Sequence, residues 1–150
     1  MTRTGFFLHF VVLFAILGWG LNPSIAQAQR SEPMDVSLVQ LIANPSEYHG
    51  KLVRVIGFCR LEFEGDALFL HREDFEQGLT KNAVWLDVGW PVPENYRGLS
   101  DRYVLVEAIF DAEEHGHMGL FSGELKKVTR MSRWPSRREL ESRNKLPSKQ

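Results

Sequence analysis

The sequence contains a single cysteine, Cys59, among 150 residues. An internal disulfide needs two cysteines, so the chain must fold on its apolar core alone. Zinc sites built from paired cysteines are excluded for the same reason. Cys59 lies in an alternating stretch, KLVRVIGFCRLEFEG, on the same predicted face as Val55 and Leu61. A free cysteine in that position is typical of core packing rather than of a nucleophile.

Catalytic signatures are also missing. The sequence has no G-x-S-x-G elbow, no phosphate-binding loop, no H-E-x-x-H and no paired C-x-x-C. The segment from His71 to Glu76 combines a histidine with acidic residues, but that spacing matches no fixed mechanism, and a charged connector is typically solvated. The sequence therefore favours a protein without catalysis of its own and without a cofactor, and leaves an enzyme as the less favoured alternative.

Only one long apolar run is present, and it lies over residues 6–21. A short start with one positive charge, Arg3, precedes the run, and the small residues Ala26 and Ala28 follow it. This layout is typical of a secretory signal peptide. We predict a signal peptide over residues 1–28, cleavage after Ala28, and export to the periplasm or the medium.

Positive charge is scarce in the body of the chain. Residues 29–125 carry 8 basic and 17 acidic residues, whereas residues 126–150 carry nine basic and two acidic residues. The acidic body disfavours nucleic acid as a partner, because contacts to phosphates supply most of the affinity for nucleic acids. Residues 132–150 have almost no apolar periodicity, which predicts a disordered, flexible basic tail that can contact an acidic surface.

The body itself has the pattern of one short helix followed by five strands. Ser37 and Gln40 form a capping-box pattern at the start of a helix over residues 37–43. Gly57, in the middle of the first strand, indicates the bend by which a sheet curls into a barrel. We therefore predict a mainly β domain over residues 29–131, a small five-stranded Greek-key barrel of the OB type. The predicted strands cover residues 51–65, 67–71, 83–89, 102–111 and 119–131.

The stretch EEHGHMGLFSG places Glu113, His115 and His117 close together in sequence. Imidazole and carboxylate suit zinc, which predicts either a metal-binding protein or a metal-dependent hydrolase. A zinc site normally takes three or four protein ligands, however, and no second pair stands at a recognisable spacing. Gly116 and Gly119 allow positive φ, so a loop between the fourth and fifth strands is the favoured interpretation and a divalent metal is the alternative.

Four residues suggest a binding surface. Trp85 and Asp87 share the outward face of the third predicted strand, and Trp90 and Tyr96 lie in the loop that follows. Barrels of the OB type hold oligonucleotides and oligosaccharides on a sheet face and its flanking loops. The four residues thus predict a platform for an unidentified protein, peptide or saccharide. The alternative is that the aromatic side chains only close the end of the barrel.

Three segments carry a resemblance to a known group of proteins: VSLVQLIANPSEYHGKLVRVIGF, LFLHREDFEQGLTKNAVWLDV and HGHMGLFSG. They resemble small exported bacterial proteins with an OB-like fold and unknown function, over about Val36 to Val128. The resemblance implies a bacterial, exported, OB-like domain and implies no activity. Together with the residue patterns, it predicts an exported, non-catalytic binding or interaction module.

Overall fold

The structure, a computed structural model, describes residues 32–145. The signal peptide predicted for residues 1–28 lies outside the described residues, as do the last five residues of the predicted tail. Within the described range, no helix is long and apolar enough to cross a bilayer.

Five of the six strands within residues 32–145 close into a barrel. The strands are β1 Met34–Asp35, β2 Leu52–Arg60, β3 Ala67–Phe69, β4 Ala83–Leu86, β5 Arg102–Asp111 and β6 Glu124–Arg133. Hydrogen bonding runs in the order β2, β3, β4, β6, β5 and returns from β5 to β2. The pair β4–β6 is parallel, the other barrel pairs are antiparallel, and β1 adds two residues in parallel to β2. The predicted mainly β, five-stranded barrel is thereby confirmed.

Short helices occupy the connections. The first begins as predicted, because the Ser37 hydroxyl accepts the Gln40 N–H at 3.2 Å and the Gln40 side chain accepts the Ser37 N–H at 2.9 Å. Leu38 and Leu41 on this helix are buried against the barrel core. The helices are α1 Leu38–Ala43, α2 Pro45–Tyr48, α3 Arg72–Glu76, α4 Glu94–Arg97 and α5 Arg137–Asn144.

Strand β2 contributes side chains to both apolar clusters of the barrel. Val53, Val55 and Cys59 are fully or almost fully buried in the main core cluster. Gly57 permits a close approach of β3, because a β-carbon at this position would lie 2.7 Å from the carbonyl oxygen of Phe69. Phe58, which the alternation places on the opposite, charged face, is nevertheless fully buried. It belongs to a second cluster, which the aromatic side chains around α3 cover.

The structure corrects several predicted boundaries. Strand β2 ends at Arg60 instead of continuing to residue 65, and β6 begins at Glu124 instead of residue 119. Strand β6 also extends to Arg133, so the predicted start of the flexible tail at residue 132 falls inside a strand. Beyond it, α5 forms where no regular structure is predicted. Local capping accounts for this helix, since the Ser136 side chain and Glu139 form a complete capping box.

Candidate functional site

An open pocket of about 500 Å³ lies where three segments of the chain meet. The segments are the turn between β2 and β3, the end of β4 with the loop after it, and the loop between β5 and β6. A volume of this size is within the range of small-molecule sites. The pocket is therefore large enough for a small-molecule ligand.

Three aromatic side chains line the pocket: Phe63, Trp85 and Trp90. Phe63 and Trp90 meet edge to face with ring centroids 5.4 Å apart, although they are 66% and 61% exposed. Trp85 is half-buried and packs on Phe121 with a centroid distance of 5.4 Å. Two exposed rings thus stand beside a third ring that the fold holds in place.

The loop from β5 to β6 is tied down at several points. Its first residues are held by Asp111 Oδ1, which accepts the Glu113 N–H at 2.9 Å and the Glu114 N–H at 3.4 Å. Farther along, the Lys81 ammonium donates to the carbonyl oxygens of Gly119 at 3.3 Å and Phe121 at 3.4 Å. These bonds position the part of the loop that lines the pocket.

Carboxylates make up most of the polar lining. Asp66 is the most buried of them, at 6% exposure, and its Oδ1 accepts the Glu62 N–H at 2.9 Å. Burial raises the pKa of Asp66 to about 6, and the charges of Glu62 and Asp87 act in the same direction. Burial also raises the pKa of Glu124. The lining carboxylates are Glu64, Asp66, Asp87, Glu114 and Glu124.

The four predicted ligand-binding residues do not all come together. Trp85, Asp87 and Trp90 line the same pocket. Tyr96 does not line this pocket, because α4 turns its side chain onto the main core cluster, where it is partly buried. It therefore belongs to the packing of the barrel.

The predicted metal ligands are also separated. His117 lines the pocket, with its Nε2 3.8 Å from a Glu64 carboxylate oxygen, whereas His115 and Glu113 are exposed and outside the lining. Over residues 32–145, no three or more histidine, cysteine or acidic side chains form a group that could hold a metal ion. Gly116 and Gly119 both have a positive φ in the loop between β5 and β6.

Two other reactive side chains in segments that the sequence singles out, Cys59 and Asp74, take part in core packing and in hydrogen bonds of the fold. Cys59 is fully buried, and burial raises the pKa of its thiol to about 12. Asp74, within the His71–Glu76 segment, accepts the His71 N–H at 2.8 Å and the Asn82 side-chain amide at 2.7 Å. It therefore joins the start of α3 to the start of β4.

Sequence reasoning missed several residues of the pocket lining, including Phe63, Asp66 and Glu124. Phe63 is predicted on the apolar face of the first strand, but the strand has already ended, and the ring is exposed. Asp66 is predicted only as part of a turn, and Glu124 lies in a predicted strand without a role. No local pattern could have joined these residues, because they meet only when the barrel closes.

Comparison with known proteins shows no family for this chain. The sequence matches no family model, and no curated protein matches it. A solved structure assigned as an aspartyl-tRNA synthetase, from Leishmania major Friedlin, aligns at 17% identity and a TM-score of 0.41. The alignment covers 74% of this chain but 22% of the synthetase chain. At this TM-score the likeness carries no argument about the fold or the activity of this chain.

Proposed function

We propose that this protein is an exported, non-catalytic binding module of the OB type, and that its ligand occupies the pocket beside Trp85 and Trp90. The observation that carries the proposal is the position of the pocket walls in the barrel. They come from a sheet strand and from the two loops that flank it, which is the part of an OB barrel that holds ligands.

The strand order supports the OB assignment. Counted from β2, the five barrel strands pair in the order 1, 2, 3, 5, 4 and back to 1, with a parallel contact between the third and the fifth. OB barrels usually place a helix between the third and fourth strands, and α4 provides one short turn there. We therefore name the barrel OB-like on topology, independently of any sequence match.

The environments of Cys59 and Asp74 support a non-catalytic role. A thiol with a pKa of about 12 stays protonated at neutral pH, and Asp74 is engaged by two hydrogen bonds that hold the fold. Export rests on the predicted signal peptide, and bacterial origin rests on the resemblance of the sequence. The module is proposed to act outside the cytoplasm, on a protein, peptide, saccharide or small molecule.

The basic C-terminal segment is proposed as a second contact region for an acidic surface. None of the residues of α5 is buried, so its cationic side chains stand at the surface. Arg137 of α5 is already paired with Glu141 at 3.0 Å, and Arg133, at the end of β6, is paired with Glu139 of α5. The remaining arginines, Arg138 and Arg143, would make this contact.

Chemical-shift mapping tests the pocket directly. The purified, ¹⁵N-labelled protein is titrated with separate mixtures of short peptides, oligosaccharides, small amines and nucleotides. We expect at least one mixture to shift resonances of the pocket residues, with the largest changes at the Trp85 and Trp90 indole N–H groups. The exposed Trp134 serves as the internal control, because it lies outside the pocket. Shifts confined to another surface, or no shifts with any mixture, would contradict the proposal.

A further inference from the structure

The charge of the pocket differs from that of the rest of the barrel surface. On the barrel, Glu107 contacts Arg54 at 2.8 Å and Arg130 at 3.3 Å, and Asp101 contacts Arg60 at 2.8 Å. In the pocket, none of the lining residues within the described part of the chain is a lysine or an arginine. The only ion pair of the five lining carboxylates within that part is the 3.8 Å approach of His117 to Glu64.

Asp66 is the most unusual member of this group. Its side chain lines the pocket although the residue is more than nine-tenths buried. One carboxylate oxygen accepts the Glu62 N–H, and the other, which makes no hydrogen bond to residues 32–145, stays in contact with solvent. A buried carboxylate without a cationic partner is costly, and a cation within the pocket would offset that cost.

The aromatic residues add a second, independent preference for positive charge. Phe63, Trp85 and Trp90 border the same space, and the negative faces of aromatic rings attract cations. The attraction is strongest for tryptophan, and aromatic rings are a common means of recognising quaternary ammonium groups. The aromatic walls and the carboxylates therefore favour the same class of ligand.

Other ligand classes fit less well. A divalent metal ion needs several oxygen or nitrogen ligands around one point, and the side chains of residues 32–145 form no such group. Phosphates and nucleic acids would meet five carboxylates without a lysine or arginine in the lining. A neutral sugar could stack on the rings but would leave the charge of Asp66 uncompensated.

We propose that the pocket binds an organic cation, an alkylammonium or guanidinium group, with the cation against Trp85 and Trp90 and the carboxylates around it. This inference rests on the proposed binding function and names its ligand class. The same chemistry has two sources, a free small amine and the lysine or arginine side chain of a peptide, and the experiment includes both.

Isothermal titration calorimetry on the purified protein tests the proposal with a matched pair of probes. Choline carries a quaternary ammonium group, and 3,3-dimethylbutan-1-ol is its neutral isostere. We expect choline to bind at least about tenfold more tightly than the alcohol, because only the cation gains from the rings and the carboxylates. A tetralysine peptide forms the second arm. Tighter binding of the peptide than of choline would assign the source to a protein partner, and the reverse order would assign it to a free amine.

Variants inside and outside the pocket test whether the cation binds there and whether a pocket carboxylate contributes to its affinity. Trp90→Ala is expected to weaken binding of the preferred cation about tenfold, whereas Trp134→Ala, which removes an exposed tryptophan elsewhere, leaves it unchanged. Glu114→Gln is expected to weaken binding about threefold, with Glu113→Gln, its neighbour outside the pocket, as the control. Both tryptophans are substantially exposed, so these variants are expected to fold.

Several outcomes would overturn the proposal. Equal binding of choline and the alcohol would show that charge is not recognised, and equal loss in test and control variants would place the cation elsewhere. No binding of choline or tetralysine would also reject an organic cation. If saccharides or neutral peptides still shifted the pocket resonances, the binding function would stand and only the ligand class would fall. If no mixture shifted them, both would fall.

Discussion

Gly116 lies against the ring of Trp85. A β-carbon built on Gly116 would be 2.5 Å from Cγ of that ring, and the backbone at Gly116 has a φ of 61°. The loop between β5 and β6 can therefore approach β4 so closely only with a glycine at this point. This contact helps to fix one wall of the pocket, and the ring of Trp85 also packs on Phe121.

Replacing Gly116 with alanine is expected to disturb both the loop and the pocket. The added methyl group would clash with Trp85, and the alanine would have to keep a φ of 61° with a ψ of −156°, so Gly116→Ala should lower the free energy of unfolding by about 2–4 kcal/mol. Gly119→Ala is the control, because Gly119 also has a positive φ, 68°, but nothing lies within 4 Å of its added β-carbon. Urea unfolding should give a loss of about 1–2 kcal/mol for the control. Equal losses would show that the contact with Trp85 is unimportant.

Asp66 is expected to destabilise the protein at neutral pH. Its folded pKa of about 6 lies above the ordinary value of 3.8, so between these values the folded state binds more protons than the unfolded state. The contribution of Asp66 to stability therefore improves as the pH falls through about 6 and levels off below 3.8. Asp66→Asn can keep the bond from the Glu62 N–H and should raise the unfolding free energy near pH 7.5 by as much as about 3 kcal/mol.

The pH dependence of stability distinguishes the burial of the Asp66 carboxylate from a general effect of removing one negative charge from the pocket. Asp66→Asn should lose the rise in stability on acidification between pH 6 and 3.8 that Asp66 causes. Asp87→Asn, at an exposed position in the same pocket, should largely retain it. Urea denaturation at a series of pH values measures both. A variant at Asp66 that is less stable than the parent protein near pH 7.5 would contradict the assigned cost of burial.

Asp111, unlike Asp66, is expected to stabilise the folded protein at neutral pH, and this stabilisation is lost only in a lower pH range. The hydrogen bond from Lys126 holds the pKa of Asp111 at about 2, below its usual 3.8, and the Glu113 N–H contributes in the same direction. This stabilisation is complete above 3.8 and is lost as the pH falls towards 2. Lys126→Met should lower the urea midpoint near neutral pH and should differ little from the parent protein at the acid end. Lys127→Met, at the exposed neighbour, should leave the midpoint nearly unchanged.

Cys59 is expected to resist thiol reagents in the folded protein. Its thiol is fully buried, and its pKa of about 12 leaves almost no thiolate at neutral pH. Labelling by a disulfide reagent should be at least about a thousandfold slower in buffer than in denaturant, since it requires opening of the core. Glu76→Cys in a Cys59→Ala background is the control and should react at once. Fast labelling of native Cys59 would reopen a chemical role for the thiol.

The helix start and the central strands could be predicted because their signals are local. The capping box of Ser37 and Gln40 involves residues three positions apart, and β5 has the predicted bounds, residues 102–111. The ends of the strands are harder to predict from the sequence. Glu62 and Phe63 continue the alternation of β2, but the chain turns after Arg60, and Asp66 Oδ1 accepts the Glu62 N–H in that turn. A side-chain bond of this kind leaves no trace in the hydrophobic pattern.

The sequence by itself determined a mainly β barrel with a buried Cys59, since alternation of apolar residues and the bend at Gly57 depend on neighbours along one strand. It also placed Trp85 and Asp87 on one outward face. Only the tertiary structure decided that Phe63, Asp66 and Glu114 join them, while Tyr96 packs on the core. The physical reason is that closure of the barrel, by pairing β4 with β6 and β5 with β2, brings together loops that lie about 50 residues apart in sequence.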